Sequence, residues 1–244
     1  MDTIIIAGGR GRRLGCLTSR HNKGALRFQG VPVLARLIKS LCQTSYVNRI
    51  HVVTGYQPES IEQVLHNIPL QEYKRVNTVH GPSETVGMLQ RIAQAIPSAQ
   101  CEPGALVMGV DSLIPAHVME QFISMVMSRV AQGNNVITLL CATDPEPAPT
   151  HYLLSEAEGR VMKHVAPENA DASCTLRSIG VRYLPGHILR KIWEDAPQWR
   201  GKNISPYITH LMSAGTPVHA FATSVPWIHI GYPRDFEKAY PEPK

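Results

Sequence analysis

Six consecutive residues, Gly8-Gly9-Arg10-Gly11-Arg12-Arg13, place three glycines and three arginines directly after the apolar run Ile4-Ile5-Ile6-Ala7. Glycine lets backbone N–H groups come close to a ligand, and a run of such amides forms an anion-binding concavity. Arginine adds a fork-shaped positive charge that matches phosphate oxygens. The run predicts a phosphate cradle at the end of a strand. A tight turn with a solvated basic face is the plainer account. The coincidence of both residue types right after a strand weighs against it. A dinucleotide-binding turn is discounted. Leu14 stands where its third glycine belongs, Gly15 comes one residue late, and Gln29 to Lys39 contains no Asp or Glu.

Positive charge continues past the loop. Residues 10–27 hold Arg10, Arg12, Arg13, Arg20, Lys23 and Arg27 and no acid. So compact a cluster suits a polyanionic small ligand better than a long nucleic-acid stripe. Further on, Asp111 follows the apolar run Ala105-Leu106-Val107-Met108-Gly109-Val110. An unpaired carboxylate at the end of a buried strand is costly, so Asp111 reads as a functional acid, with a helix cap as the alternative. Gly81-Pro82-Ser83-Glu84-Thr85-Val86-Gly87-Met88-Leu89 leads into a helix. It fits a ligand pocket or an ordinary helix N-terminus built on Ser83 and Glu84.

The order and spacing of these residues resemble the sugar-phosphate nucleotidyltransferases, the family of glucose-1-phosphate thymidylyl- and uridylyltransferases and mannose-1-phosphate guanylyltransferases. The pattern A-G-G-x-G-T-R-L, then L-T, P-K-x-x-L and G-x-P-x-L is met by Ala7, Gly8, Gly9, Gly11, Arg13, Leu14, Leu17, Thr18, Lys23, Leu26, Gly30, Pro32 and Leu34. Arg12 replaces the family's Thr, and Asn22 replaces its Pro. The form Asn-Lys-Gly-Ala-Leu is also similar to the molybdopterin guanylyltransferase branch of the fold. The resemblance implies that Arg13 and Lys23 bind the nucleotide's phosphates and stabilise the transition state. It places Ala7, Gly8, Gly9, Gly11 and Arg12 in the nucleotide-binding loop, and Thr85 and Gly87 against base and ribose. It also implies Mg²⁺ on Asp111, although Val110 interrupts the usual Gly-Asp pair. Trp227 to Ala239 resembles the closing W-x-D-I-G-T-P-E-D-Y-x-x-A, with His229 in the second metal-binding Asp position.

The acceptor half departs more. Glu158-Gly159-Arg160-Val161 matches a G-R-V strand, but the following E-K-P is degraded to Val165-Ala166-Pro167-Glu168. The sugar-binding Glu and phosphate-binding Lys have no clear equivalents there, with Lys163 or Lys202 as substitutes. Ser178-Ile179-Gly180 stands for N-x-G. The implied reaction is attack of an acceptor phosphate on the α-phosphorus of an NTP, with pyrophosphate leaving. The acceptor is read as a sugar 1-phosphate. A non-sugar phosphate or phosphonate acceptor, or a nucleotide-binding relative without catalysis, stays open.

These residues need elements to hold them. Apolar spacing predicts helices over Pro32–Leu41, Pro58–His66, Thr85–Ile96 and Ala116–Val130. Strands are predicted at Ile4–Ala7, Arg49–Gly55, Val76–Val79, Ala105–Val110 and Asn135–Cys141. The alternation predicts an α/β fold with a Rossmann-like, mostly parallel sheet and helices on both faces. Asp144-Pro145-Glu146-Pro147-Ala148-Pro149 breaks the pattern. Short strands near Tyr152–Leu154, Val161–Val165 and Ile179–Leu184 then read as a small antiparallel extension carrying the acceptor site. Residues 1–244 read as one domain, with a nucleotide-binding half over 1–143 and an acceptor-binding half over 144–244.

Composition agrees with an ordinary globular enzyme: 43% hydrophobic, 18% charged, net charge +5. Asp2 argues against a signal-peptide start, and no apolar run has the length of a membrane span. Cys16, Cys42, Cys101, Cys141 and Cys174 are odd in number and show no C-x-x-C. They read as reduced thiols in a cytoplasmic protein. The expected partners are an NTP, a phosphorylated small molecule and Mg²⁺, with no nucleic acid or membrane and with room for a homo-oligomer.

Overall fold

In the computed structural model of the chain, the described residues are 1–73, 75–82, 86–143, 152–155, 159–165 and 176–238. From the N-terminus run β1 (Asp2–Ile6), β2 (Arg27–Phe28), β3 (Val31–Pro32), α1 (Val33–Cys42), β4 (Ile50–Val53), α2 (Pro58–His66), α3 (Leu70–Tyr73), β5 (Val76–Val79) and α4 (Met88–Ala95). Then come β6 (Gly104–Gly109), β7 (Ser112–Leu113), α5 (Ala116–Ala131) and β8 (Ile137–Ala142). Next are β9 (Tyr152–Ser155), β10 (Val161–Val165), β11 (Leu176–Pro185), α6 (Gly186–Asp195), α7 (Ile204–Ser213), β12 (Val218–Thr223) and β13 (Ile228–His229).

The main sheet has the order β10-β9-β11-β6-β1-β4-β5, with β8 on β11 and β12 on β8. The pairs β1–β4, β1–β6, β4–β5 and β8–β12 are parallel. β11 is antiparallel to both β6 and β8, and β9 is antiparallel to β10 and β11. The expected α/β sheet is therefore observed. The antiparallel part is more than an appendage, because β11 is built into the sheet between β6 and β8.

Strand alternation divides the core. Ile5, Leu106, Met108 and Val52 face α1, α2 and α5 through Leu34, Ile38, Ile61 and Phe122. Ile4, Ile6, Ala105 and Val107 face α4, α6 and α7 through Leu89, Ile92, Leu189 and Tyr207. A period of two in the strands thus gives each face its own helical layer. A third, smaller cluster joins Leu14, Phe28, Val33, Leu113, Ile228 and Ile230. It fastens the loop after β1 to β7 and β13.

The sequence left α6, α7 and β12 unread. The expected helix over Thr85–Ile96 begins at Met88. Ser83, Glu84, Thr85, the segment 144–149, Glu158, Ala166, Pro167, Glu168 and Cys174 lie outside the described residues. Among the described residues, no helix is long and apolar enough to cross a membrane.

Candidate active site

β1 lies centrally in the sheet, so the loop after it opens at the carboxyl edge where ligands of such sheets bind. Ala7 N–H donates to Val53 O at 2.9 Å, and Gly8 O accepts from Tyr56 N–H at 3.1 Å. Gly9, Arg10, Arg12 and Arg13 are exposed. Gly11 has φ +61°, in the left-handed region, and its carbonyl accepts from Leu14 N–H at 2.9 Å and Thr18 Oγ1 at 3.1 Å. A glycine is suited to that turn. Arg10 lies over the Tyr56 ring at 5.1 Å, and Arg13 over the Tyr232 ring at 5.1 Å. The loop therefore presents cations braced on aromatic faces.

Lys23 arrives from the same side. Asn22, fully buried, sits before it and makes four hydrogen bonds. Its amide Nδ2 donates to Ala7 O at 2.6 Å and Tyr56 O at 2.7 Å. Its Oδ1 accepts from Gly24 N–H at 3.0 Å, and its own N–H donates to Ser60 Oγ at 2.8 Å. Asn22 thereby ties the ends of β1 and β4 to the turn that carries Lys23. Lys23 Nζ in turn donates to Asp111 Oδ2 at 2.9 Å. The sequence-predicted cation and acid meet in one ion pair.

Asp111 follows β6 and precedes β7, whose pairing with β13 sets His229 opposite Ser112. Ile230 N–H donates to Asp111 O at 2.8 Å. Burial pushes the Asp111 carboxyl up, but Lys23 and then His229 pull it down further, to about 2. Burial is also the main reason that the His229 imidazolium is disfavoured. Lys23 and Arg13 add to that effect, and Asp111 opposes it. A side chain at Gly231 would come 2.9 Å from His229 Cδ2 and 3.6 Å from an Arg13 nitrogen. Asp235, buried, accepts from Gly231 N–H at 2.8 Å and Tyr232 N–H at 2.7 Å. That carboxylate fixes the turn that carries Tyr232, whose ring lies under Arg13.

The structure thus brings Arg13, Lys23, Asp111 and His229 together around the glycine loop. Gly87 caps α4 at some remove, and a side chain there would strike the Lys202 backbone at 2.1 Å. Lys202 thus packs its backbone against the start of α4. Among the described residues no three His, Cys, Asp or Glu side chains form a metal cluster. Asp111 offers an ionised oxygen, which fits a Mg²⁺ ion that draws its other ligands from phosphates and water. A cavity of about 530 Å³ lined by Arg27, Val31, Arg36, Lys39 and Glu72 lies away from this cleft.

Two residues of the site escaped the sequence reading. Asn22 stands in the sequence as a replacement for Pro and as the first residue of Asn-Lys-Gly-Ala-Leu, without a bonding role. Arg91, nearly buried on α4, donates from Nη1 to Thr54 O at 2.8 Å and from Nη2 to Pro82 O at 3.3 Å. Side chains at Gly8, Gly55 or Gly81 would all collide with its guanidinium. The available signal was an arginine between Leu89 and Ile92 on the apolar face of a helix; its glycine neighbours are distant in the chain.

Residues 3–173 match the family model for the MobA-like NTP transferase domain. Local sequence matches include the bifunctional protein GlmU of Methanococcus maripaludis, 32% identical over 84 residues, covering 33% of this chain and 20% of that protein. A glucose-1-phosphate adenylyltransferase of Paraburkholderia phytofirmans is 43% identical over 58 residues, covering 24% of this chain and 14% of that protein. The chain matches only a fifth or less of the length of these relatives. Among solved structures, the inositol-1-phosphate CTP transferase from T. maritima superposes with a TM-score of 0.77 at 18% identity, covering 96% of this chain and 90% of that one. UDP-glucose pyrophosphorylase complexed with UDP-glucose gives 0.76 at 16%, covering 96% and 95%.

Proposed function

From the premise that this chain belongs to the MobA-like NTP transferase domain family, we propose that it is a nucleotidyltransferase that moves an NMP from an NTP to a phosphorylated acceptor, releasing pyrophosphate. The acceptor in this reading is a sugar 1-phosphate and the product an NDP-sugar. The observation that carries it is the Lys23–Asp111 pair at 2.9 Å, set beside the glycine loop with Arg13 and His229 close by.

The acceptor's phosphomonoester is mostly dianionic at neutral pH, with a second pKa of about 6, so no general base is required. Catalysis is then positioning and charge neutralisation. The amides of Gly8, Gly9 and Gly11 and the guanidiniums of Arg12 and Arg13 receive the triphosphate. Lys23, held by Asn22, neutralises charge on the reacting phosphates. Thr85 and Gly87 flank base and ribose. Asp111 would hold Mg²⁺, with His229 donating a hydrogen bond to a phosphate. An ion held there would supply charge neutralisation for the reacting phosphates. Lys23 would then share the Asp111 carboxylate or pass to phosphate oxygens. The working site in this reading is the cytoplasm.

Pyrophosphate release, measured with each common NTP, Mg²⁺ and a panel of sugar 1-phosphates, polyol phosphates and phosphonates, tests the proposal. Turnover with one NTP and a sugar 1-phosphate is expected. No release with any pair would overturn it, and selective use of a polyol phosphate or phosphonate would move the acceptor out of the sugar class.

A further inference from the structure

Arg182 is a buried cation that, among the described residues, is bonded to no carboxylate. It lies on β11 opposite Val107 of β6 and Leu139 of β8, on the face covered by α4, α6 and α7. The residue is 5% exposed. Among the described residues its guanidinium makes one hydrogen bond, from Nη1 to the Met88 thioether sulfur at 3.3 Å, and Nε has no partner. A thioether is a weak acceptor and carries no charge. Burial lowers the Arg182 pKa to about 10, so it stays protonated at neutral pH. The Cys141 thiol beside it is pushed up strongly by its own burial and remains neutral. Asp111 is close enough for its field to favour the Arg182 cation, but its carboxylate is bonded to Lys23.

Removing a guanidinium from water with no anion in contact is strongly unfavourable. Packing does not call for it, because the positions around it are aliphatic. Its place is informative. Met88 opens α4 next to Gly87, so the group lies by the helix N-terminus, whose first amides favour anions. On the other side, Ser112, next to Asp111, donates from Oγ to Ile179 O of β11 at 2.9 Å. Arg182 stands by the Gly87–Met88 corner and within the field of Asp111, on β11, inside the span read as the acceptor half.

We propose that Arg182 holds the phosphate of the acceptor, a role that rests on the nucleotidyl-transfer reading. The phosphate supplies the missing anion and two or more charged acceptor oxygens for Nε and the terminal nitrogens. It would also explain how acceptor phosphate is bound although Val165-Ala166-Pro167-Glu168 contains no lysine.

The test uses Arg182→Met and Arg182→Lys in the full chain. Thermal unfolding without ligand is measured first. A residue kept for a ligand leaves the free protein more stable when replaced by an apolar side chain, so Arg182→Met is expected to melt at or above the wild-type temperature. A lower Tm, or failure to fold, marks a structural arginine and overturns the proposal. Inorganic phosphate is then titrated calorimetrically into protein saturated with Mg²⁺ and a non-hydrolysable NTP, which occupies the glycine loop. Phosphate affinity should fall at least about tenfold in Arg182→Met and be partly restored in Arg182→Lys, with nucleotide affinity unchanged. Equal phosphate binding by Arg182→Met and wild type refutes the assignment. A wild-type protein that binds no nucleotide refutes the broader reading instead.

Discussion

Lys23 Nζ and Asp111 Oδ2 are 2.9 Å apart, although 88 residues separate them in the chain. The contact joins the loop after β1 to the loop after β6, the two neighbouring central strands. Both side chains are largely buried, at 12% and 28% exposure, so solvent screens the pair incompletely. Replacing Lys23 or Arg13 by Ala should lower kcat/KM by about two to three orders of magnitude, the usual loss when one donor to transition-state charge is removed. Steady-state pyrophosphate release checks this. Near-wild-type turnover in both variants would remove the phosphate-cradle assignment.

Acid behaviour should follow from the same pair. The folded Asp111 carboxyl titrates near 2, below its ordinary value of 3.8. A depressed carboxyl adds stability that is fully present above its unfolded pKa and is lost as pH falls toward the folded one. That loss belongs between about pH 4 and pH 2. Lys23→Met removes the main opposing charge and leaves burial opposed only by His229 and a backbone hydrogen bond, so the Asp111 pKa should rise. A carboxyl NMR titration of wild type and variant would show the rise, and an unchanged Asp111 value would show that Lys23 does not govern it.

Asp111→Asn should keep the fold and abolish Mg²⁺-dependent turnover. The carboxylate's side-chain partner is Lys23 of the site, and the neighbours Val110 and Ser112 keep the β6–β7 connection packed. Circular dichroism and activity measured together decide the matter. An unfolded Asn variant, or one with normal metal dependence, would make Asp111 structural.

Much of this arrangement was legible in the chain because it is local. The β1 strand, the Gly/Arg loop and Asp111 after an apolar strand each declare themselves within a few residues. The periodic segments up to Cys141 also predicted the parallel sheet, because alternating strands and helices leave few topologies. What lay beyond reach is non-local. Nothing near Arg182 in sequence shows that Met88, Cys141 and Asp111 converge on it, since strand register and crossover decide that. Asn22 looked like a substitution, yet its four partners come from Ala7, Gly24, Tyr56 and Ser60. α6 and α7 were missed because no catalytic or turn residue drew attention to their apolar spacing.

Asn22 gives a sharp test of that network. Asn22→Asp is nearly isosteric but replaces the amide donor facing Ala7 O and Tyr56 O with a carboxylate oxygen. Two buried acceptors would then confront an acceptor, and the penalty should be about 2–4 kcal/mol, from two lost hydrogen bonds and an unpaired buried group. Denaturant unfolding should show the loss, and kcat/KM should fall with it because Lys23 is no longer held. Full stability in the Asp variant would mean the amide contributes nothing to the loop.

His229 separates two ways of completing the site. The protonated imidazole is an attractive phosphate ligand in principle, but burial, Lys23 and Arg13 all disfavour it here, with Asp111 only partly compensating. The ring is therefore neutral at pH 7 and able to give a hydrogen bond without a charge. Because its folded pKa lies below the ordinary 6.5, the unfolded chain takes up the proton first. Stability present above pH 6.5 should thus decline as pH falls through the lowered value. His229→Gln keeps a hydrogen-bonding group and removes the titration, so its stability should fall less than that of wild type between pH 6.5 and pH 5. His229→Asp should keep activity or raise it at low Mg²⁺, since a carboxylate adds the oxygen that the ion prefers. Parallel unfolding profiles for wild type and His229→Gln would contradict the buried neutral imidazole. Dependence on Zn²⁺ or Ni²⁺ with no Mg²⁺ activity would instead make His229 a metal ligand, because imidazole suits those ions.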